Sequence, residues 1–203
     1  MSLELGPKQL DILKEVGNVG AGHAATALSI LMNDNVKVSV TAARLCEFDG
    51  IADVVGGPEQ IVVGVFIRIQ GDITGSVMFL LSDTSAHHLL QRLMNKPAEQ
   101  GEFTDIELSA LAEVGNILAG SYTNAIGRLS GLSLIQSVPA IAVDMAGAIL
   151  DIGLSFVGEY ADSAILIDTK MSQGTAVVDG HVFLLPDPPS ARPLLQALGD
   201  QDE

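Results

Sequence analysis

Cysteine occurs once, as Cys46, and cations are scarce: 10 Lys and Arg stand against 25 Asp and Glu, a formal net charge of −15. A single thiol excludes an intrachain disulfide and a multi-thiolate zinc site. Without clustered cations, nucleic acid is excluded as a partner, because binding a polyanion works by releasing its counterions. An anionic membrane surface is unsuited for the same reason. Residues 1–5 hold no basic segment and lead into no long apolar run, so no signal peptide is expected. Apolar stretches such as Ile61–Ile69 fall far short of the ~20 residues that span a bilayer. The sequence has no Gly-Lys-Ser/Thr phosphate loop and no His-Glu-x-x-His. The expectation is a cytoplasmic, soluble monomer with no metal or cofactor of its own. Its acidic surface repels itself at low salt, which fits a salt-rich cytoplasm.

What the chain does have is apolar mass and a repeat. Apolar residues make up 48% of the 203 residues, and the mean hydropathy is +0.40. That is enough for a real core, and a single domain over residues 1–203 is expected. Asp11–Leu31 aligns without gaps on Ser109–Leu129 at an offset of 98, with nine of 21 positions identical, including the block Glu-Val-Gly-Asn. Val77–Asp83 resembles Val182–Asp187, and Leu89-Leu90-Gln91 resembles Leu194-Leu195-Gln196. The halves, about 8–98 and 103–199, read as two copies of one unit.

Each unit opens with a long helical pattern, about 8–33 and 104–131. Three strand-like runs follow: Val36–Phe48, Ile61–Gln70 and Asp72–Leu81, then Ser133–Val143, Ile149–Val157 and Ala164–Leu185, the last broken near Gln173-Gly174. Gln70-Gly71-Asp72 and Gln173-Gly174 read as hairpin turns. A short helix closes each unit, Thr84–Met94 and Ser190–Leu198, with Asp83 and Ser190 as N-caps, and Gly199–Glu203 is a frayed tail. The expected fold class is α+β: two long helices packed on one mostly antiparallel sheet. The halves should share that sheet, since three strands with one open face are marginal alone. Pseudo-two-fold symmetry follows.

At 100° per residue, Glu15, Asn18 and Gly22 fall within about 40° of Asp11, opposite the apolar stripe of Leu13 and Val16. Ser109, Glu113, Asn116 and Gly120 share the same face of the second long helix. Each helix thus shows a carboxylate and a carboxamide on adjacent turns, pointing away from the core. Such a face is ordinarily just the solvated side of an amphipathic helix. Here the helix carries Gly17, Gly20, Gly22 and Asn18 within six residues, poor helix formers that an idle surface has no reason to keep, and the cluster occurs twice. Gly17, Gly20 and Gly115 have a simpler explanation in close helix packing. Gly22 and Gly120, on the outward face, would let another protein approach the Glu/Asn pair. His23 falls on the apolar side as a structural residue, His87 and His88 point to different sides of a short helix, and Cys46 fills a strand position.

The pattern Asp/Ser-x3-Glu-x2-Asn, repeated about 100 residues apart, resembles the CheC family of the CheC/CheX/FliY group. Asp11, Glu15 and Asn18 match the first motif; Ser109, Glu113 and Asn116 match the second. The family pattern adds a proline 23 positions after the Asn. Pro139 supplies it in the second copy, whereas Thr41 stands there in the first. The resemblance implies a symmetric fold with a shared sheet and hydrolysis of the aspartyl phosphate on a CheY-type response regulator. It implies that Glu15 and Glu113 pair with the regulator's active-site lysine, and that magnesium sits in the regulator. A CheD-type receptor deamidase is a second implied partner. A carboxamide suits this chemistry, because its oxygen can accept from a water while its NH2 donates to a phosphoryl oxygen. Asn18 and Asn116 are assigned that role, with Asp11 and Ser109 flanking. The rival reading is a non-catalytic scaffold that binds CheD or flagellar switch components. If the proline shapes a bulge beneath its helix, the second site should be the better formed.

Overall fold

The computed structural model describes residues 6–95, 101–155 and 163–199. The first copy runs α1 (Pro7–Met32), β1 (Lys37–Glu47), α2 (Phe48–Val54), β2 (Ile61–Gly71), β3 (Gly75–Ser82) and α3 (Asp83–Met94). The second runs α4 (Asp105–Ser130), β4 (Leu134–Gln136), β5 (Ala140–Met145), α5 (Ala146–Ser155), β6 (Ser163–Gln173), β7 (Ala176–Pro186) and α6 (Pro188–Gly199). Both long helices end where the sequence punctuates them. The Thr104 side chain accepts from the Glu107 backbone N–H while the Glu107 carboxylate accepts from the Thr104 N–H, a reciprocal cap for α4. Asn33 closes α1 and Gly131 closes α4, both in the left-handed conformation, with φ of 48° and 71°.

Among the described residues one seven-stranded sheet joins the copies, in the order β1-β6-β7-β3-β2-β4, with β5 also on β2. Every pairing is antiparallel. The copies exchange strands: β1 of the first pairs with β6 of the second, and β4 and β5 of the second pair with β2 of the first. Neither copy therefore holds a complete sheet by itself. The pseudo-symmetry falls between β3 and β7, the two middle strands.

Alternation along the strands sends side chains to two cores. On one face Val63, Val65, Phe79, Ile165, Ile167 and Val182 meet the long helices and the short helices α3 and α6. On the other, Val62, Leu80, Leu166 and Phe183 meet α2 and α5. Phe79 and Phe183 are fully buried on opposite faces, each contributing about 1.5–3 kcal/mol by leaving water. Cys46 belongs to the second core, where burial pushes its thiol pKa up.

Three expectations need correction. Ile149 does not begin a strand, because Ala146–Ser155 is helical; the part of that expected strand beyond residue 155 lies outside the described residues. Ala146, Ile149, Leu150 and Gly153 are buried at helical spacing, which overrides a run of apolar residues that either state would accept. Its counterpart α2, with Ile51 and Ala52 buried, fills the connection between β1 and β2. The N-caps shift as well. Ser82, not Asp83, caps α3, with its hydroxyl accepting from the Ser85 N–H at 3.1 Å. Ser190 lies inside α6, and its hydroxyl accepts from the Thr74 N–H at 2.8 Å instead, tying that helix to the β2–β3 turn. Of the expected frayed tail, residues 200–203 lie outside the described residues.

Both outer strands carry one extra residue at the same place. Val40 faces Thr169 and Ala42 faces Asp168, leaving Thr41 as the bulge in β1. In the second copy Gln136 faces Ile69 and Ala140 faces Phe66, so residues 137–139 span two opposite positions. Pro139 thus stands at a bulge, as expected, but Thr41 forms the equivalent bulge without proline.

Candidate functional site

The long helices lie side by side on one face of the sheet, and glycines set how closely they pack. A Cβ on Gly20 would come within 2.4 Å of the Tyr122 ring on α4, and one on Gly115 within 2.7 Å of Val65 on β2. A Cβ on Gly17 would meet Val40 at 3.1 Å. These three are packing residues. The Tyr122 hydroxyl is 2.9 Å from Thr169 Oγ1 in the interior, and burial pushes the phenol pKa up to about 12.

With their apolar sides fixed, the helices turn the expected residues outward. On α1, Asp11, Glu15, Asn18 and Gly22 are all exposed. The Asn18 carboxamide meets no hydrogen-bond partner among the described residues. A Cβ on Gly22 would meet nothing within 4 Å, so this helix surface is open. Asp11 forms only an exposed ion pair with Lys14 at 3.4 Å, of small energetic value. His23 is exposed rather than structural, because the stripe that seats the helix passes through Ala21, Ala24 and Leu28.

On α4, Ser109 and Glu113 are exposed and Asn116 is half-buried. The Ser109 hydroxyl donates to the Asp105 carbonyl at 2.8 Å, one turn back along its own helix. Asn116 Nδ2 donates to Glu113 Oε2 at 3.4 Å. Its Oδ1 accepts from Gln136 Nε2 of β4 at 3.0 Å. A Cβ on Gly120 would lie 3.2 Å from that same Gln136 amide. This corrects one expectation: the glycine makes room for Gln136 rather than for an approaching protein.

Gln136 escaped the sequence reading. It sits at a strand position facing α4, where the copy at offset 98 has Val38. A polar residue in an otherwise apolar alternation was the available signal.

His87 stacks on Phe103 with ring centroids 4.4 Å apart, and His88 is exposed. Among the described residues no three His, Cys, Asp or Glu side chains group to hold a metal ion, and no helix is long and apolar enough to cross a membrane. The site is thus a carboxylate and a carboxamide on one exposed helical face, present twice. It can accept from a water, donate to an anionic oxygen and pair with a cation.

Known proteins resemble this chain over most of its length. The model of the CheC-like family matches residues 9–40, and that of the chemotaxis phosphatase CheX matches residues 63–153. The CheY-P phosphatase CheC of Bacillus subtilis strain 168 is 39% identical over 198 residues, covering 95% of this chain and 94% of that protein. The chain belongs to the CheC-like family. A putative CheY-P phosphatase, CheC1 of Halobacterium salinarum, is 27% identical over 92% of this CheC-like chain and 94% of its own length. Among solved structures, FliY of Thermotoga maritima superposes with a TM-score of 0.79 at 18% identity, over 98% of this chain and 99% of its own. At that identity the likeness speaks for the fold.

Proposed function

We infer that this chain is a phosphatase that hydrolyses the aspartyl phosphate of a CheY-type response regulator, acting through Glu15/Asn18 and Glu113/Asn116. The observation that carries the reading is the duplicated outward Glu/Asn face on a chain 39% identical to a CheY-P phosphatase. An acyl phosphate is already reactive, so what the protein must supply is a water held in line with phosphorus. The Asn oxygen accepts from that water and its NH2 donates to a phosphoryl oxygen. The water oxygen bonds to phosphorus as the bond to the aspartate carboxylate breaks. The regulator's aspartate carboxylate is restored and inorganic phosphate leaves, carrying both protons of the water.

A carboxylate beside a phosphoryl group repels it unless a cation intervenes. Family resemblance assigns that cation: Glu15 and Glu113 pair with the lysine in the regulator's active site, which anchors the partner. Magnesium is expected in the regulator's acidic pocket. Family resemblance adds a CheD-type deamidase as a second partner. The net charge of −15 opposes self-association at low salt, in keeping with a cytoplasmic monomer.

The test is to mix the protein with a CheY-type regulator phosphorylated by acetyl phosphate and follow phosphate release. Catalytic acceleration over the regulator's own decay is expected. Binding without acceleration would replace the phosphatase reading with the scaffold one.

A further inference from the structure

We propose that Gln136 is a positioning residue for Asn116, and that it makes the second site preorganised where the first is adaptable. The proposal rests on the phosphatase reading above. Gln136 lies on β4, not on the motif helix, and reaches Asn116 Oδ1 with its Nε2 at 3.0 Å. The NH2 of Asn116 turns the other way, to Glu113. The contact fixes which end of the Asn116 amide is oxygen and which is nitrogen. One lone pair of Oδ1 is taken by Gln136, leaving the second for the attacking water.

Stability does not account for Gln136. Its Oε1 is buried and accepts from no donor among the described residues, a destabilising arrangement. The side chain also packs where a Cβ on Gly120 would come within 3.2 Å of it. The first copy shows the unstrained alternative: Val38 stands at the equivalent position, and Asn18 has no hydrogen-bond partner among the described residues. The geometry thus keeps an unpaired interior acceptor in the second copy, together with one well-made hydrogen bond to the catalytic carboxamide.

The experiment uses the full chain carrying Asn18→Ala, so that only the second site turns over. Gln136→Glu and Gln136→Val are compared with this parent on a CheY-type regulator phosphorylated by acetyl phosphate, with kcat, KM and Tm read separately. Gln136→Glu keeps the shape but removes the donor; Gln136→Val supplies the first copy's residue. Both are expected to lower kcat about tenfold through misorientation, with KM within about twofold. The Tm of Gln136→Val should not fall, since the unpaired acceptor is gone. In the Asn116→Ala chain, Val38→Gln should raise kcat. A Gln136→Glu chain with the kcat of its parent would overturn the proposal, as would a loss confined to KM or an inactive parent alongside an active wild type. An inactive wild type would overturn the phosphatase reading itself, which separates the two failures.

Discussion

The two copies keep the same chemistry and support it differently. On α1 the Asn18 carboxamide is exposed and unpartnered among the described residues, above an open Gly22. On α4 the Asn116 carboxamide is half-buried and held between Glu113 and Gln136. Duplication thus preserved the groups that would meet a phosphorylated partner, while the strands beneath them diverged. The shared motif residues put the same functional groups on both helices. How well it is aimed depends on neighbours outside the motif.

Removing both carboxamides gives the largest effect. Asn18→Ala/Asn116→Ala should lose on the order of a hundredfold or more in turnover, with an unchanged circular dichroism spectrum. Misfolding of this variant would show the two side chains to be structural and dissolve the comparison.

Charge reversal tests anchoring at each face. Glu15→Lys and Glu113→Lys should each weaken the complex with the phosphorylated regulator several-fold, because like charges would then face each other. Titration calorimetry in which neither variant changes Kd would remove the lysine pairing.

Smaller effects probe the scaffold. Arg68 of the first copy forms a two-pronged ion pair with Asp187 of the second, and Thr74 also donates to that carboxylate. Burial alone would raise the Asp187 pKa, but the hydrogen bonds from Arg68 and Thr74 and the Arg68 charge outweigh it and hold the carboxyl below its ordinary value. The folded state therefore gains stability above the ordinary carboxylate range and loses it as pH falls through the depressed value. Asp187→Asn should destabilise by about 1–3 kcal/mol at neutral pH, with the gap to wild type closing below about pH 4. Denaturant unfolding curves at several pH values check both; a gap independent of pH would contradict the account.

Glycine substitutions bring the contrast down to single atoms. Gly20→Ala drives a methyl into Tyr122 and should lower stability by about 1–3 kcal/mol. Gly22→Ala meets nothing and should raise Tm slightly through helix propensity. Reduced turnover in this more stable variant would mark Gly22 as clearance for the partner. Unaltered turnover would leave it without that role.

Much of this was legible in the sequence because it is local. The long helices, expected at about 8–33 and 104–131, form Pro7–Met32 and Asp105–Ser130. Their periodicity and end signals sit within the segments themselves. The outward placement of Glu15, Asn18 and Glu113 followed from the same 100° arithmetic. What was hidden is non-local. The exchange of β1 and of β4–β5 between copies joins segments far apart in the chain, and no local pattern encodes that choice. Ile149 was ambiguous because a short apolar run suits a strand or a buried helix equally. Pro139 drew attention as a motif residue, yet Thr41 makes the same bulge. The contact that differs between the copies comes instead from Gln136, which stands where the first copy has Val38.

The most direct test measures turnover of the phosphorylated regulator by the two single variants, Asn18→Ala and Asn116→Ala, at equal protein concentration. A larger loss from Asn116→Ala is expected, because its carboxamide is the one already held in place. Equal losses, or a larger one from Asn18→Ala, would contradict the claim that the second site is the better aimed.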